Sequence, residues 1–291
     1  MSAERPATRL RIDLAYDGTD FLGWAVQPGY RTVQGLLEEW TPKVLRLAAP
    51  VGLVCAGRTD AGVHARAQVA HLDVPAGTDP AVLLRRLRRV LPPDIAVLDV
   101  AAAPPGFHAR FSALWRRYVY RISDGEGIAD PLQRAHVATV RRVVDVDRFN
   151  AAAASLLGLH DFAAFCRRKP HATTIRTLQD IEARRVPADP LASKVEVTVR
   201  ADAFCHSMVR SLVGALTQVA TGQRDETWLA EVAASSRRHT QVNVMVARGL
   251  TLEEVRYPPD HELAARAAEA RTVRGPVERP WTPDDEDEDD E

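Results

Sequence analysis

The 291-residue sequence predicts an α+β fold. Three observations carry that prediction. Hydrophobic residues make up 46 % of the chain, enough for a sizeable core. Segments with strand period and segments with helix period occur in both halves. They do not follow strict βαβ order, which favours a mixed, segregated architecture over a doubly wound one.

The elements follow in order. LRIDLAY, ending just before Asp17-Gly18, alternates apolar and polar residues as a strand does. Thr32 can cap a helix with Val33, Leu36, Leu37 and Trp40 on one face, and Pro42 is expected to interrupt or kink it for want of an N–H. Val51–Cys55 is a short apolar strand leading into the loop Ala56–Gly62, and Gln68–Leu72 is the next strand. Asp79-Pro80 supplies a cap followed by proline at the first helical position. The helix after it carries Leu83, Leu84, Leu87 and Val90 on one face and four arginines elsewhere, and Pro92-Pro93 ends it. Ile95–Val100 and Ser112–Ile122 read as strands. In the second half a helix is expected from near Asp147 to Gly158, and strands over Thr177–Val186 and Lys194–Ala201. Further helices follow over His206–Ala220 and Asp225–Ala234, with Gly222 as a stop between them, then a last strand over Gly249–Val255. Residues 1–7 read as a disordered lead, and 259–291 as a partly helical, then disordered tail.

The net charge of −1 conceals an asymmetry. The last eight residues, DDEDEDDE, are all acidic; without them 38 basic groups face 31 acidic ones, a balance of +7. A mildly basic body suits a polyanionic partner. Its cations are nearly all arginine, which favours bidentate phosphate contacts and equally reflects Arg-rich coding. No apolar run approaches the ~20 residues that span a bilayer, and the first residues lack a signal-like apolar stretch, so a cytoplasmic protein is expected. The three cysteines, Cys55, Cys166 and Cys205, are expected to be isolated reduced thiols rather than a disulfide framework or a zinc site.

Three segments carry chemistry. In CAGRTDAGVHA (55–65) two glycines flank a cation, a hydroxyl and a carboxylate, and an arginine two residues from Asp60 favours its ionised form. Asp-Ala-Gly is also simply a good turn. FHARFSALWRRYVYRI (107–122) interleaves aromatic and basic residues, as a base-stacking strand does and as an ordinary strand with core aromatics also does. In ADAFCHSMVRSLVGALTQVATG (201–222) Arg210 is alone among apolar residues on a helix. A buried cation needs a partner, and Asp60 is the candidate; the plainer reading is an arginine reaching back to solvent. His64, beside the loop, reads as structural before it reads as catalytic.

Together these segments resemble the tRNA pseudouridine synthase A family, the tRNA pseudouridine-38–40 synthases. The resemblance runs through YDGTDFLGW (16–24), RTVQG (31–35), CAGRTDAGVHA (55–65), LPPDIAV (91–97) and FHARFSALWRRYVY (107–120). It continues through LLGLHDF (156–162), ADAFCHSMVRSLVGAL (201–216) and GLTLEEV (249–255), in the family's order. It implies two similar α+β domains, here 8–111 and 112–258, around a continuous, mainly antiparallel sheet with a central basic cleft, followed by the 259–291 tail. It implies Asp60 as the catalytic aspartate and Arg58 as the arginine beside it. Tyr118 matches the tyrosine that packs on the target base, and Arg210 the helix arginine that pairs with the aspartate. The implied substrate is the tRNA anticodon stem-loop and the implied active form a homodimer, with no cofactor and no metal.

The sequence departs from the family pattern at Ala67, Arg88, Val246 and Pro42, none of them a site residue. Two rival functions are a non-catalytic tRNA-binding protein on the same fold and an Asp-nucleophile hydrolase. The first gives no reason to keep Asp60, Arg58, Tyr118 and Arg210 together, and the second usually needs a metal cluster that the sequence does not offer near the loop.

Overall fold

The computed structural model describes residues 7–167, 173–186 and 194–271. Its strands and helices are β1 (Ala7–Tyr16), α1 (Val33–Leu45), β2 (Leu53–Cys55), β3 (His64–Pro75), α2 (Pro80–Val90), β4 (Ile95–Ala102), β5 (Trp115–Ser123) and β6 (Ala138–Thr139). There follow α3 (Val146–Ala154), β7 (Gly158–Asp161), β8 (Ile175–Val186), β9 (Lys194–Ala201), α4 (Met208–Ala220), α5 (Glu226–Ala234), β10 (Leu250–Arg256) and α6 (Leu263–Arg271).

The strands form one continuous sheet in the order β4-β1-β3-β10-β5-β9-β8-β7, with β2 on β3 and β6 on β5. Pairing is antiparallel except for β10 with β3 and β5 with β6. The last strand of the chain thus lies between the N-terminal strands and the C-terminal ones, closing the two halves into one sheet. Residues opposite one another across a ladder share a face. Leu10 pairs with Leu72, Leu252 with Ala65 and Tyr118, and Tyr118 with Val199, so one face is apolar from end to end. The helices' buried residues, Leu37, Leu83, Phe149, Leu212 and Val232, join those strand residues in one core. Alternate residues on the other face form ion pairs, among them Arg9–Asp73, Arg117–Glu254 and Arg121 with Glu196 and Glu253.

Local signals explain most element ends. Thr32 accepts from Gly35 N–H, Asp79 from Ala81 and Asp145 from Arg148, each capping its helix. Four expectations are corrected. Helix α1 is not interrupted at Pro42 but runs to Leu45, because Val33, Leu37 and Thr41 bury one continuous face across that point. The 147–158 helix ends at Ala154, and Gly158–Asp161, with no periodicity to announce it, pairs with β8 as an edge strand. Strand β3 is far longer than Gln68–Leu72, since its polar members pair on the charged face. Cys166 and Cys205 are not isolated thiols: they form a disulfide, 39 residues apart in sequence, where a backbone bridge brings Arg167 beside His206. Only Cys55 stays free, and burial pushes its thiol up to about 12.

The tail reading is partly settled: 263–271 is helical, with Leu263 packed beside Phe107 and Ala109 and Ala267 also buried. The lead up to residue 6 and the acidic run lie outside the described residues. Among the described residues, no helix is long and apolar enough to cross a membrane.

Candidate active site

The loop between β2 and β3 carries Asp60, and neighbouring segments clamp it on several sides. Arg116, buried on β5, donates to the Ala56 carbonyl at 2.8 Å and to the Asp202 carbonyl at 2.7 Å. One guanidinium therefore ties the start of this loop to the segment that leads from β9 into α4. Gln68 donates to the Gly57 carbonyl at 2.8 Å, and the Tyr16 and Thr59 hydroxyls bond at 2.8 Å. Trp24 N–H donates to Thr59 O, and Gly62 N–H to Phe21 O. The glycines of YDGTDFLGW have a steric reason here. Gly23 has φ +89°, and a Cβ on it would stand 2.8 Å from Thr59 O; a Cβ on Gly18 would collide with the Val63 backbone.

Asp60 is thus presented by a rigid loop toward the N-terminus of α4. Its Oδ2 accepts from Arg210 Nη1 and from the Ser207 hydroxyl, both at 3.3 Å. His206 Nε2 lies 3.3 Å from Oδ1. Arg210 is itself aimed, because its Nε donates to the Met245 carbonyl at 2.6 Å. Burial raises the pKa of the Asp60 carboxyl, yet the contacts from His206, Arg210 and Ser207 outweigh it and hold the group below the usual carboxylate range. The side chain keeps 23 % of its surface exposed, so part of it stays reachable from solvent.

Of the residues singled out from the sequence, Asp60 and Arg210 meet as expected. Tyr118 lies in the floor beneath the loop: it is buried, a Cβ on Gly57 would be 3.5 Å from its hydroxyl, and its ring meets Phe204 edge-on at 5.1 Å. Burial, with the nearby Asp60 charge adding to it, pushes the Tyr118 hydroxyl well above its ordinary value, so it stays protonated. Arg58 is not the partner that sequence proximity suggested. It is exposed, and no ion pair joins it to Asp60 among the described residues. His64 is buried and spent on structure, accepting from Gly18 N–H at Nδ1 and bonding the Arg248 carbonyl at Nε2. Arg88, a departure from the family pattern, donates to the Val97 and Leu98 carbonyls and so staples α2 to β4.

Sequence reasoning missed His206, Ser207, Arg116 and Gln68. The only available signal for the first two was the polar pair directly before Met208-Val209-Arg210, at the start of a helix whose arginine already pointed to Asp60. Among the described residues, no group of three or more His, Cys, Asp or Glu side chains is placed to hold a metal ion.

Comparison with known proteins places these residues in context. A family model described as tRNA pseudouridine synthase matches residues 152–258, which include α4 and Arg210. The tRNA pseudouridine synthase A of Cutibacterium acnes is 62 % identical over 267 residues, covering 92 % of this chain and 95 % of the relative. That of Streptomyces griseus is 53 % identical over 275 residues, covering 94 % and 96 %. That of Frankia casuarinae is 54 % identical over 268 residues, covering 92 % and 96 %.

Proposed function

The chain belongs to the tRNA pseudouridine synthase A family, an enzyme family that isomerises uridine to pseudouridine in tRNA, and from that premise we propose how its own residues do so. Asp60 is the catalytic carboxylate, and the substrate uridines are those at positions 38, 39 and 40 of the anticodon stem-loop. The reaction breaks the N1–C1′ bond of uridine, turns the freed uracil and joins C5 to C1′; the hydrogen on C5 leaves to solvent. Atoms are conserved apart from that proton exchange, so the step needs no oxidant and no nucleotide energy source.

The observation that carries the proposal is the state of Asp60: ionised, partly exposed, and held by donors from the α4 side alone. An ionised carboxylate suits each of three routes, attack on C1′, removal of the C2′ proton, or addition to C6 of the base. Arg210 keeps the charge on Asp60. Tyr118 closes the floor beneath the turned base with its ring edge and a protonated hydroxyl. Unstacking the target base costs a few kcal/mol, and the exposed Arg58 is free to meet the backbone or fill the vacated space. Residues 8–111 and 112–258 act as two lobes about the cleft. The active form is a homodimer in the cytoplasm, and the chemistry runs without cofactor or metal.

The test uses tRNA transcripts tritiated at uracil C5. Release of label by wild type and not by Asp60→Asn is the expected result. Release by both variants discards Asp60 as the catalytic group. Release by neither, with tRNA still bound, favours the non-catalytic tRNA-binding reading.

A further inference from the structure

Two residues on α4's approach, Ser207 and His206, have features that their own helix does not explain. Ser207 is the N-cap of α4, where a serine side chain ordinarily accepts from a backbone N–H of the first turn. It makes no such bond. Its backbone lies in the left-handed region, φ 63°, which a non-glycine side chain rarely adopts. The hydroxyl released from capping goes to Asp60 Oδ2 at 3.3 Å. Next to it, His206 directs Nε2 to Asp60 Oδ1 at 3.3 Å, while its Nδ1 is buried with no hydrogen-bond partner among the described residues. A forgone cap, a left-handed serine and an unpaired ring nitrogen are three costs, and one carboxylate accounts for all of them.

The segment is also fixed from behind. Arg167 N–H donates to the His206 carbonyl at 3.0 Å, Cys205 is bonded to Cys166, and the Asp202 carbonyl is held by Arg116. His206 and Ser207 thus stand on an anchored strap, and each faces a different oxygen of Asp60. Arg210 shares Oδ2 with Ser207.

We propose that His206 and Ser207 are positioning residues that together set the plane of the Asp60 carboxylate, His206 through Oδ1 and Ser207 through Oδ2, while Arg210 supplies the counter-charge. With the proton on Nε2, the imidazole donates to Oδ1 and leaves Nδ1 as a bare acceptor. The carboxylate then cannot rotate about its Cβ–Cγ bond without losing both donors, and its reacting lone pair stays turned to the uridine. This inference rests on Asp60 being the catalytic group.

The groups facing Asp60 are His206, Ser207 and Arg210 from α4 and its approach, and the Tyr118 hydroxyl from β5. Removing His206 leaves burial less opposed, so the carboxyl protonates more readily. The experiment measures single-turnover tritium release, tRNA affinity, Tm and the pH profile for the full chain and four variants: Ser207→Gly, His206→Ala, His206→Gln and Asp60→Asn. Glycine accepts the left-handed backbone without strain, so Ser207→Gly is expected to melt at or above the wild-type Tm and still lose rate about 10-fold. His206→Ala is expected to lose about 10- to 100-fold in rate with tRNA affinity within about twofold of wild type. Its activity also fails at a higher pH on the acid side than that of wild type. His206→Gln, whose amide N–H can take the place of Nε2–H, recovers most of the rate.

Wild-type rates in Ser207→Gly and His206→Ala overturn the inference. So does a rate loss that merely follows lost tRNA affinity or lost Tm. If His206→Ala does not fold, Ser207→Gly decides alone, and a wild-type rate there overturns it. Asp60→Asn separates the two levels: full activity in that variant discards the catalytic reading itself. An inactive Asp60→Asn beside wild-type His206 and Ser207 variants discards only the positioning role.

Discussion

Asp60 and Asp124 are both carboxylates paired with an arginine from a distant part of the chain, and they are built differently. Asp124 follows β5, and its side chain is fully buried. It accepts from both Arg185 nitrogens at 3.1 and 2.8 Å, and from the backbone N–H groups of Val144 at 2.8 Å and Glu126 at 3.3 Å. Every lone pair has a donor and none faces solvent. Asp60 has three donors, all at 3.3 Å and all from one side, and part of its surface is open. Burial opposes ionisation of both groups and paired donors overcome it in both, so both are held below the usual carboxylate range. What separates them is saturation. A carboxylate whose donors surround it holds the fold together, and one whose donors leave a side free can meet a substrate.

Substitution at each carboxylate breaks that comparison most directly. Asp60→Asn is expected to lower tritium release by about 1,000-fold, roughly 4 kcal/mol of transition-state stabilisation. Its Tm should stay close to wild type, because the contacts it weakens are long and half-exposed. Asp124→Ala should do the reverse. It leaves Arg185 and two backbone N–H groups short of an acceptor, and denaturant unfolding should register a loss of about 3 kcal/mol, with normal turnover per folded molecule. If Asp60→Asn proved the destabilising variant and Asp124→Ala the inactive one, saturation would not separate structure from chemistry.

Acidity sharpens the contrast through a third group. His71 on β3 is buried and accepts from Ala109 N–H at 3.1 Å. Burial above all, with the charges of Arg9 and His108, pushes its ring down to about 4. Its folded value lies below its unfolded one, so its contribution to stability is complete above pH 6.5 and is lost as pH falls through 4. The shift corresponds to about 3 kcal/mol, and urea titrations between pH 7 and pH 4 should show it. His71→Gln should flatten that dependence while leaving turnover at neutral pH unchanged. Asp124 and Asp60, both depressed, hold their charge until lower pH, so the first acid effect on the wild type is a loss of stability rather than of chemistry.

The smallest expected effect tests the counter-charge. Arg210→Met should reduce the rate by about 100-fold, or roughly 2.7 kcal/mol, and raise the pH at which activity fails, since Asp60 loses its nearest cation. Arg210→Lys should recover part of that loss but not all, because a single ammonium cannot hold Met245 and Asp60 in the directions the guanidinium fork serves.

Much of this was legible in the residues. The α+β character, the Thr32 and Asp79 caps and the run of Arg210's helix all follow from local chemistry. The Asp60–Arg210 pairing was legible for another reason: a lone cation on an apolar helix demands a counter-ion, and the loop offered one. Arg58 misled because sequence proximity is not spatial proximity in a turn, where successive side chains diverge. The edge strand Gly158–Asp161 escaped because four residues on an edge, three of them exposed, carry no period to detect. Pro42 misled in the other direction: one missing N–H near a helix end costs less than the face it would abandon.

The sequence by itself determined the chemistry available to this protein: one carboxylate in a glycine-released turn, one cation on an apolar helix and an aromatic strand to floor them. Short-range rules suffice there, because side-chain type, caps and turns act within a few residues. Only the tertiary structure decided how that carboxylate is held. The left-handed backbone at Ser207, the direction of His206, the Cys166–Cys205 bond and the reach of Arg116 to two loops at once all depend on β5, β9 and α4 meeting across one sheet. Contacts between residues 39 to 150 positions apart leave no mark on local pattern, since their energy exists only once the chain has closed.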